Sequence, residues 1–338
     1  MLKFLKLKAY KKNLSINKIK QKIKFFLIRM MLFFHNIFVF RFRHLVTRGL
    51  LFFDENFDSK VLTVNANSIR SVEIFDEDQK MENVITTCYF IHKSDPQIHG
   101  VVRNKADINY MAPWYNSINR LCIDGVIFHD GLDENFIKKY QTKFIRFRKC
   151  TLGNFSIFEE RWIMLYIFLK KTNIKKIFCS DIQDVYIKHN PFNLNLDDSI
   201  LYAGRDDANK IRLSPWMKEE LDTFKHDSGL KIPKTYYYHP VYNPGILGGN
   251  RKVLVFCILK MIKLIFCTRS NTHKDMTLIN LVLHKYFPVK LYFESEETSK
   301  TNIKNDKWTS NKWLKTGYPL NSEYKKYDYN SNAYFIHK

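Results

Sequence analysis

Two aspartates at the end of an apolar run are the residues of this sequence best suited to chemistry. Residues 174–192 read IKKIFCSDIQDVYIKHNPF. Ile174, Ile177 and Phe178 have the pattern of a buried strand, and the run stops at Asp181 and Asp184. The chain turns apolar again at Val185, Tyr186 and Ile187, then meets a turn signal at Asn190-Pro191. Ligands of open α/β sheets bind at the carboxyl ends of strands. Carboxylates there suit a hard divalent cation, which takes oxygen ligands, and such a cation can bind a diphosphate. The competing reading is an ordinary polar turn that caps a helix or meets solvent. Taken alone, the two residues favour that turn; the rest of the chain shifts the balance.

The elements that would position these acids alternate in type. Asn83–Phe90 is β-branched and apolar and reads as a first strand, followed by a polar loop at 92–105. Ala106–Leu121 has helical spacing interrupted by Pro113, and Ile123–Phe128 is the next strand. Asp133 can cap a short helix to Tyr140, and Phe144–Phe147 reads as a third strand. Asn154 can cap a helix over Phe155–Lys171, whose apolar residues recur at three and four. The carboxylate strand comes next. Ser199–Ala203 is a further strand, residues 205–241 form a mixed segment with Trp216 on a short helix, and helices are expected at 251–266 and 275–286. Ala333–Lys338 is strand-like and contains His337. Strand and helix in turn predict an α/β fold: a Rossmann-type, mostly parallel sheet flanked by helices. No internal repeat, GxGxxG or P-loop motif is present, which leaves a dinucleotide or ATPase reading unsupported.

Composition describes a globular chain with an unusual arm. The 338 residues are 45% hydrophobic and 15% aromatic, ample for a buried core. The net charge is +22, but residues 1–50 hold 13 Lys/Arg and no Asp or Glu, leaving 42 basic against 33 acidic side chains elsewhere. Such an arm (residues 1–53) favours an anionic surface, membrane or nucleic acid. Its apolar block, residues 25–40, is shorter than the about 20 residues of a membrane span and includes Arg29, His35 and Asn36. An interfacial helix on an anionic leaflet and a helix packed on the domain are equally good readings; a signal anchor is a poorer one. No small-residue cleavage site follows. Residues 54–82 read as a connector, and residues 83–338 as the catalytic domain. None of the six cysteines forms a Cys-x-x-Cys pair, so they read as buried hydrophobes of a reduced compartment.

Four segments in order resemble a family. They are Ser180-Asp181-Ile182-Gln183-Asp184-Val185, Asn190-Pro191-Phe192, Tyr242-Asn243-Pro244-Gly245-Ile246-Leu247-Gly248-Gly249, and Asp275 with Asn280. They look like the nucleotide-sugar-dependent glycosyltransferases of the GT-A fold, from about residue 83 to the C-terminus. The resemblance implies a nucleoside diphosphate sugar as donor, a glycan or lipid-linked acceptor, and Mn²⁺ or Mg²⁺ held by Asp181 and Asp184. The spacing is Asp-x-x-Asp instead of the commoner Asp-x-Asp, so Asp181 is alternatively placed at the ribose or sugar. By the same resemblance Asn243, Gly245, Gly248 and Gly249 belong to a loop whose backbone passes under the donor sugar. Asp275 matches an acid that contacts the sugar hydroxyls or the reaction centre. His337 resembles a late histidine that completes the metal site or meets the diphosphate; the alternative is a frayed terminus. Arg161 is placed at the nucleotide or phosphates, or else pairs with acids such as Glu159 or Glu160 on a solvated face.

The leading expectation is a metal-dependent hexosyltransferase-like enzyme, cytoplasmic and peripheral to a membrane through residues 1–50. The alternative is a basic membrane- or nucleic-acid-binding protein with a degenerate transferase-like domain. Nucleic acid fits less well, because the arm's aromatics lie in one apolar block and not among the charges. A nucleotidyltransferase fits poorly too, since the loop after Phe90 reads IHKSDPQIHG and lacks a Gly-rich basic pattern.

Overall fold

The computed structural model describes residue 30 and residues 63–65, 68–95, 102–103, 105–193, 196, 201–205, 211, 214–239, 241–268, 274–287 and 334–337. The interfacial or packed helix expected at 25–40 lies outside these residues save for residue 30, as do residues 288–333 and parts of 92–105 and 205–241. Among the described residues no helix is long and apolar enough to cross a membrane.

The strands in chain order are β1 (Thr63–Asn65), β2 (Ser68–Ile69), β3 (Ser71–Val72), β4 (Asn83–Tyr89), β5 (Gly125–His129), β6 (Ile145–Thr151), β7 (Lys176–Ser180), β8 (Val185–Ile187), β9 (Leu201–Arg205), β10 (Tyr242–Asn250) and β11 (Phe335–His337). The helices are α1 (Ile108–Leu121), α2 (Glu134–Tyr140), α3 (Ile157–Lys171), α4 (Pro215–Ser228), α5 (Arg251–Ile265) and α6 (Asp275–Tyr286). One seven-stranded sheet has the order β3-β6-β5-β4-β7-β10-β9. Its middle strands β6, β5, β4 and β7 are parallel. β10 runs antiparallel to both β7 and β9, and β3 antiparallel to β6. The fold is therefore α/β with a mostly parallel sheet, as expected. β8 and β11 pair as a separate antiparallel ribbon.

Strand side chains alternate between two cores. Val84, Val126, Phe128, Ile177, Cys179 and Leu247 face a layer built from α3, α5 and α6. Ile85, Ile127, Phe178 and Ile246 face α1 and the β8–β11 ribbon. Burial on both faces is why these strands are near-continuous apolar runs. All six cysteines are free; Cys150, Cys179 and Cys257 are buried, whereas Cys122 and Cys267 are exposed.

Several elements differ from expectation. Pro113 does not interrupt α1, which runs through it. A proline inside a helix costs about 3 kcal/mol. Met111, Trp114 and Ile118 are completely buried on the same helix, each contributing about 1.5–3 kcal/mol. Asp107 adds a cap by accepting the Asn109 N–H at 2.9 Å. α3 starts after Ser156, not Asn154, and the Ser156 hydroxyl engages Glu159. Residues 70–82, within the stretch read as a connector, pack on the domain. Arg70 and Glu160 form a fully buried ion pair at 2.8 Å, and Arg148 holds the buried Asp78 at 2.8 Å. The glycine-rich segment expected as a loop is the long strand β10, paired on both sides. Gly248 stands opposite Phe178, where a Cβ would run into the Phe178 ring and lie 2.6 Å from the Ile177 carbonyl oxygen. The missing side chain here serves close sheet packing.

Two predictions follow from this packing. Gly248→Ala forces overpacking at Phe178 and is expected to cost about 1–3 kcal/mol in urea unfolding. His129, at the end of β5, accepts the Leu132 N–H on Nδ1 at 3.0 Å. Burial, with Lys149 nearby, pushes its imidazole down to about 4. Above about pH 6.5 folded and unfolded chains both keep it neutral. As pH falls from there towards the folded value only the unfolded chain takes up the proton, so stability falls with it, by on the order of 3 kcal/mol in all. His129→Asn keeps an acceptor at that place and should flatten this arm of the stability–pH curve.

Candidate metal centre

β7 ends at Ser180, whose Oγ accepts the indole N–H of the buried Trp114 at 3.0 Å. This fixes the strand tip against α1. Asp181 follows, and its N–H donates to the Gly245 carbonyl at 2.9 Å. β10 therefore passes beside the acid at Gly245. Its register with β9 slips between Asn243 and Leu247, a bulge around Pro244-Gly245-Ile246. The Asn243 side chain closes the bend by accepting the Gly245 N–H at 2.8 Å. From behind, the Asn280 amide of α6 accepts the Tyr242 N–H and donates to the Tyr242 carbonyl, both at 2.8 Å.

The ribbon supplies the remaining donors. Asp184 immediately precedes β8, and His337 ends β11 opposite Val185. His337 Nε2 lies 3.5 Å from Asp184 Oδ2 and 3.8 Å from Asp181 Oδ2. One ligand atom from each of Asp181, Asp184 and His337 falls within 4.8 Å of the others. Gly245 makes room for the group: a Cβ there would press on the His337 ring and lie 2.7 Å from Asp181 Oδ2 and 3.0 Å from Asn243 Oδ1. Carboxylate oxygens are the donors Mg²⁺ and Mn²⁺ take, and an imidazole is a common ligand of divalent metals. The residues present fit such an ion.

Charge at the strand tip is balanced from α3. The buried Arg161 guanidinium donates from Nη1 to Asp181 Oδ1 and from Nη2 to Asp275 Oδ2, the latter at 2.5 Å. Burial would lower the Arg161 pKa, but Asp181 and Asp275 outweigh it and raise it further. Burial raises the Asp181 carboxyl; Arg161 pulls it down and Asp184 pushes it up again, with a net rise. The Asp181 side chain keeps 30% of its exposure, so it lies in a walled recess and not a sealed core. Burial would raise Asp184 too, but His337, by charge and hydrogen bond, holds it below the usual carboxylate range. Burial alone would lower His337, yet Asp184 and then Asp181 raise it.

Of the residues singled out in the sequence, Asp181, Asp184, His337, Asn243 and Gly245 come together, and Arg161 links Asp275 to them. Arg161 faces the strand tip and not a solvated helix face, and His337 is buried in a paired strand, not frayed. Gly248 and Gly249 do not join them. They pair with Phe178 and Ile177, two and three positions back along β7 from the tip. Sequence reasoning missed Asp95, Arg103, Tyr110 and Gln183, which line the same recess as Arg161, Asp181 and Asp184. Arg103 donates to Asp95 at 3.1 Å, and its guanidinium carbon stands 3.9 Å from the Tyr110 ring centre. The available signal was position: Asp95 and Arg103 follow β4, whose carboxyl end points into the site.

No protein-family model matches the chain, and no curated protein matches it. Among solved structures it is similar to the galactosyltransferase LgtC in complex with donor and acceptor sugar analogs. That similarity has a TM-score of 0.35 at 16% identity over 58% of this chain and 69% of the other. It is also similar to the glycosyltransferase GlyE of Streptococcus pneumoniae TIGR4 in its apo form, with a TM-score of 0.35 at 14% identity over 60% of this chain. A second GlyE structure gives 0.34 at 13% identity. The chain spans 43% of the length of either GlyE structure. Likeness at this level carries no statement about activity.

One expected outcome concerns protons. Below its raised pKa, His337 carries the proton that a cation must displace. Mn²⁺ affinity is therefore expected to rise with pH above the ordinary imidazole value and to level off once His337 is neutral. Titration calorimetry in buffers of differing ionisation enthalpy should show proton release that shrinks as pH rises; affinity that is flat with pH would contradict the His337 ligand.

Proposed function

We propose that this chain is a metal-dependent glycosyltransferase of the GT-A type. It moves a sugar, a hexose by our reading, from a nucleoside diphosphate donor to a glycan or lipid-linked acceptor. The observation that carries the proposal is the convergence of Asp181, Asp184 and His337 at the carboxyl end of a central parallel strand. Two segments far apart in sequence, the 181–184 turn and the end of β11, meet there, and Gly245 leaves space for what they would hold.

When bound, Mn²⁺ or Mg²⁺ supplies positive charge that stabilises a diphosphate leaving group. Asp181, Asp184 and His337 hold it. Arg161 occupies Asp181 Oδ1, which leaves Oδ2 on the His337 side for the cation. Asn243 and Gly245 shape the adjoining backbone, which the Asn243 and Asn280 side chains pin. Arg103, Tyr110 and Gln183 line the recess together with Arg161, Asp181 and Asp184, and we assign the Arg103 guanidinium and the Tyr110 ring to the nucleotide. Residues 1–50 are basic enough to hold the enzyme against an anionic membrane, on whose cytoplasmic face we place it.

The test is donor cleavage. A panel of UDP- and GDP-linked hexoses should include at least one that the full-length protein hydrolyses or transfers, faster with Mn²⁺. Asp184→Asn should reduce that rate by about a hundredfold or more while leaving thermal unfolding within a few degrees of wild type. If no donor shifts the melting temperature with Mn²⁺ present, and none is cleaved, the enzyme reading fails and a binding role for residues 1–50 takes its place.

A further inference from the structure

We infer that Asp275 is a positioning residue for the cation site and acts through Arg161 on Asp181. The inference rests on the cation reading above and assigns the control of that site to residues outside the ligand set. Asp275 is not one of the three residues whose ligand atoms cluster, Asp181, Asp184 and His337. Its carboxylate is buried, and its Oδ2 accepts from Arg161 Nη2 at 2.5 Å. The other arm of the same guanidinium donates to Asp181 Oδ1.

A guanidinium is planar, so two acids on its two arms fix its orientation where one would leave it free to turn. With Oδ1 of Asp181 engaged, Oδ2 is directed to the side where His337 Nε2 stands at 3.8 Å. Asp275 can serve as the fixed end because its own helix start is anchored. The Lys274 N–H donates to Glu159 at 2.9 Å, and the Thr277 N–H to Glu220 at 2.9 Å. The positive end of α6 also favours an acid at its first residue. The order of constraint runs from α6 to Asp275, to Arg161, to the free oxygen of Asp181. Arg161 further offsets one of the three carboxylates at the tip, so the charge left for a cation comes chiefly from Asp184 and the outer oxygen of Asp181.

The experiment measures binding of Mn²⁺ alone to the full chain, by loss of the free-ion electron paramagnetic resonance signal and by the spectrum of the bound ion. Wild type is compared with Asp275→Asn, Arg161→Lys and the double variant, with thermal unfolding of each. Asp275→Asn is expected to weaken Mn²⁺ binding about 10- to 100-fold and to change the bound-ion spectrum, although it touches no ligand. Arg161→Lys keeps the charge but cannot bridge two acids, and should weaken binding by a similar factor; it carries the test if Asp275→Asn does not fold. The double variant should bind about as weakly as the weaker single one, since both act along one path. Raising Mn²⁺ in proportion should restore donor cleavage by Asp275→Asn. The inference is overturned if wild type binds Mn²⁺ and the folded single variants bind it equally well. It is also overturned if saturating Mn²⁺ leaves Asp275→Asn inactive, which would put Asp275 at the reacting atoms. A wild type that binds no Mn²⁺ would remove the cation reading itself, and this inference with it.

Discussion

The bridge from Asp275 through Arg161 to Asp181 is the constraint on which the site depends. Three carboxylates, Asp181, Asp184 and Asp275, lie close together at the end of β7, mostly out of water. Carboxylates so placed repel one another, and burial penalises each of them. Arg161 answers two, and His337 answers Asp184 and the outer face of Asp181. Removing one partner of the buried Arg161–Asp275 pair would leave an uncompensated charge, worth about 3–5 kcal/mol. The site's electrostatics and the local stability of the fold are therefore one problem.

The same α3 helix carries both halves of the solution. Glu159 and Glu160 occupy its first turn and are buried. Glu160 takes Arg70 from the strand edge at 2.8 Å and accepts the Phe155 N–H at 3.1 Å. Glu159 reaches the start of α6. One turn thus ties the sheet edge, the loop before α3 and the helix of Asp275 into one unit, with Arg161 next in line. This explains why residues around 70–82 belong with the sheet: without Arg70, Glu160 would be a buried charge lacking its strongest partner.

Backbone geometry does the rest of the positioning. The bulge in β10 turns the Gly245 carbonyl to the Asp181 N–H, while the Asn280 amide satisfies the Tyr242 backbone just before it. Polar backbone groups at such a break would be costly if left unpaired in the interior. Asn280 acts as a short piece of strand supplied by a helix. Gly245 and Gly248 sit three residues apart and do different work, one keeping a recess open and the other letting β10 lie close on Phe178.

Much of this was legible in the residues. The alternation of short apolar strands with longer runs of helical spacing determined the α/β class, because side-chain period and burial on both faces leave their mark locally. The break from Phe178 to Asp181 located the strand tip, and the acid at position 275 opened a helix as its type suggested. Other features were decided only when the chain closed. Pro113 reads as a helix breaker until Met111, Trp114 and Ile118 are seen fully buried beside it, an outcome set by packing energy and not by propensity. The glycines at 245, 248 and 249 are alike in a sequence, since what distinguishes them is the atom that a Cβ would meet. Arg161 could have paired with acids on its own helix; that it spans to Asp181 and Asp275 depends on where β7 and α6 arrive. His337 becomes part of the centre only because β11 pairs with β8, a long-range contact that no local pattern encodes.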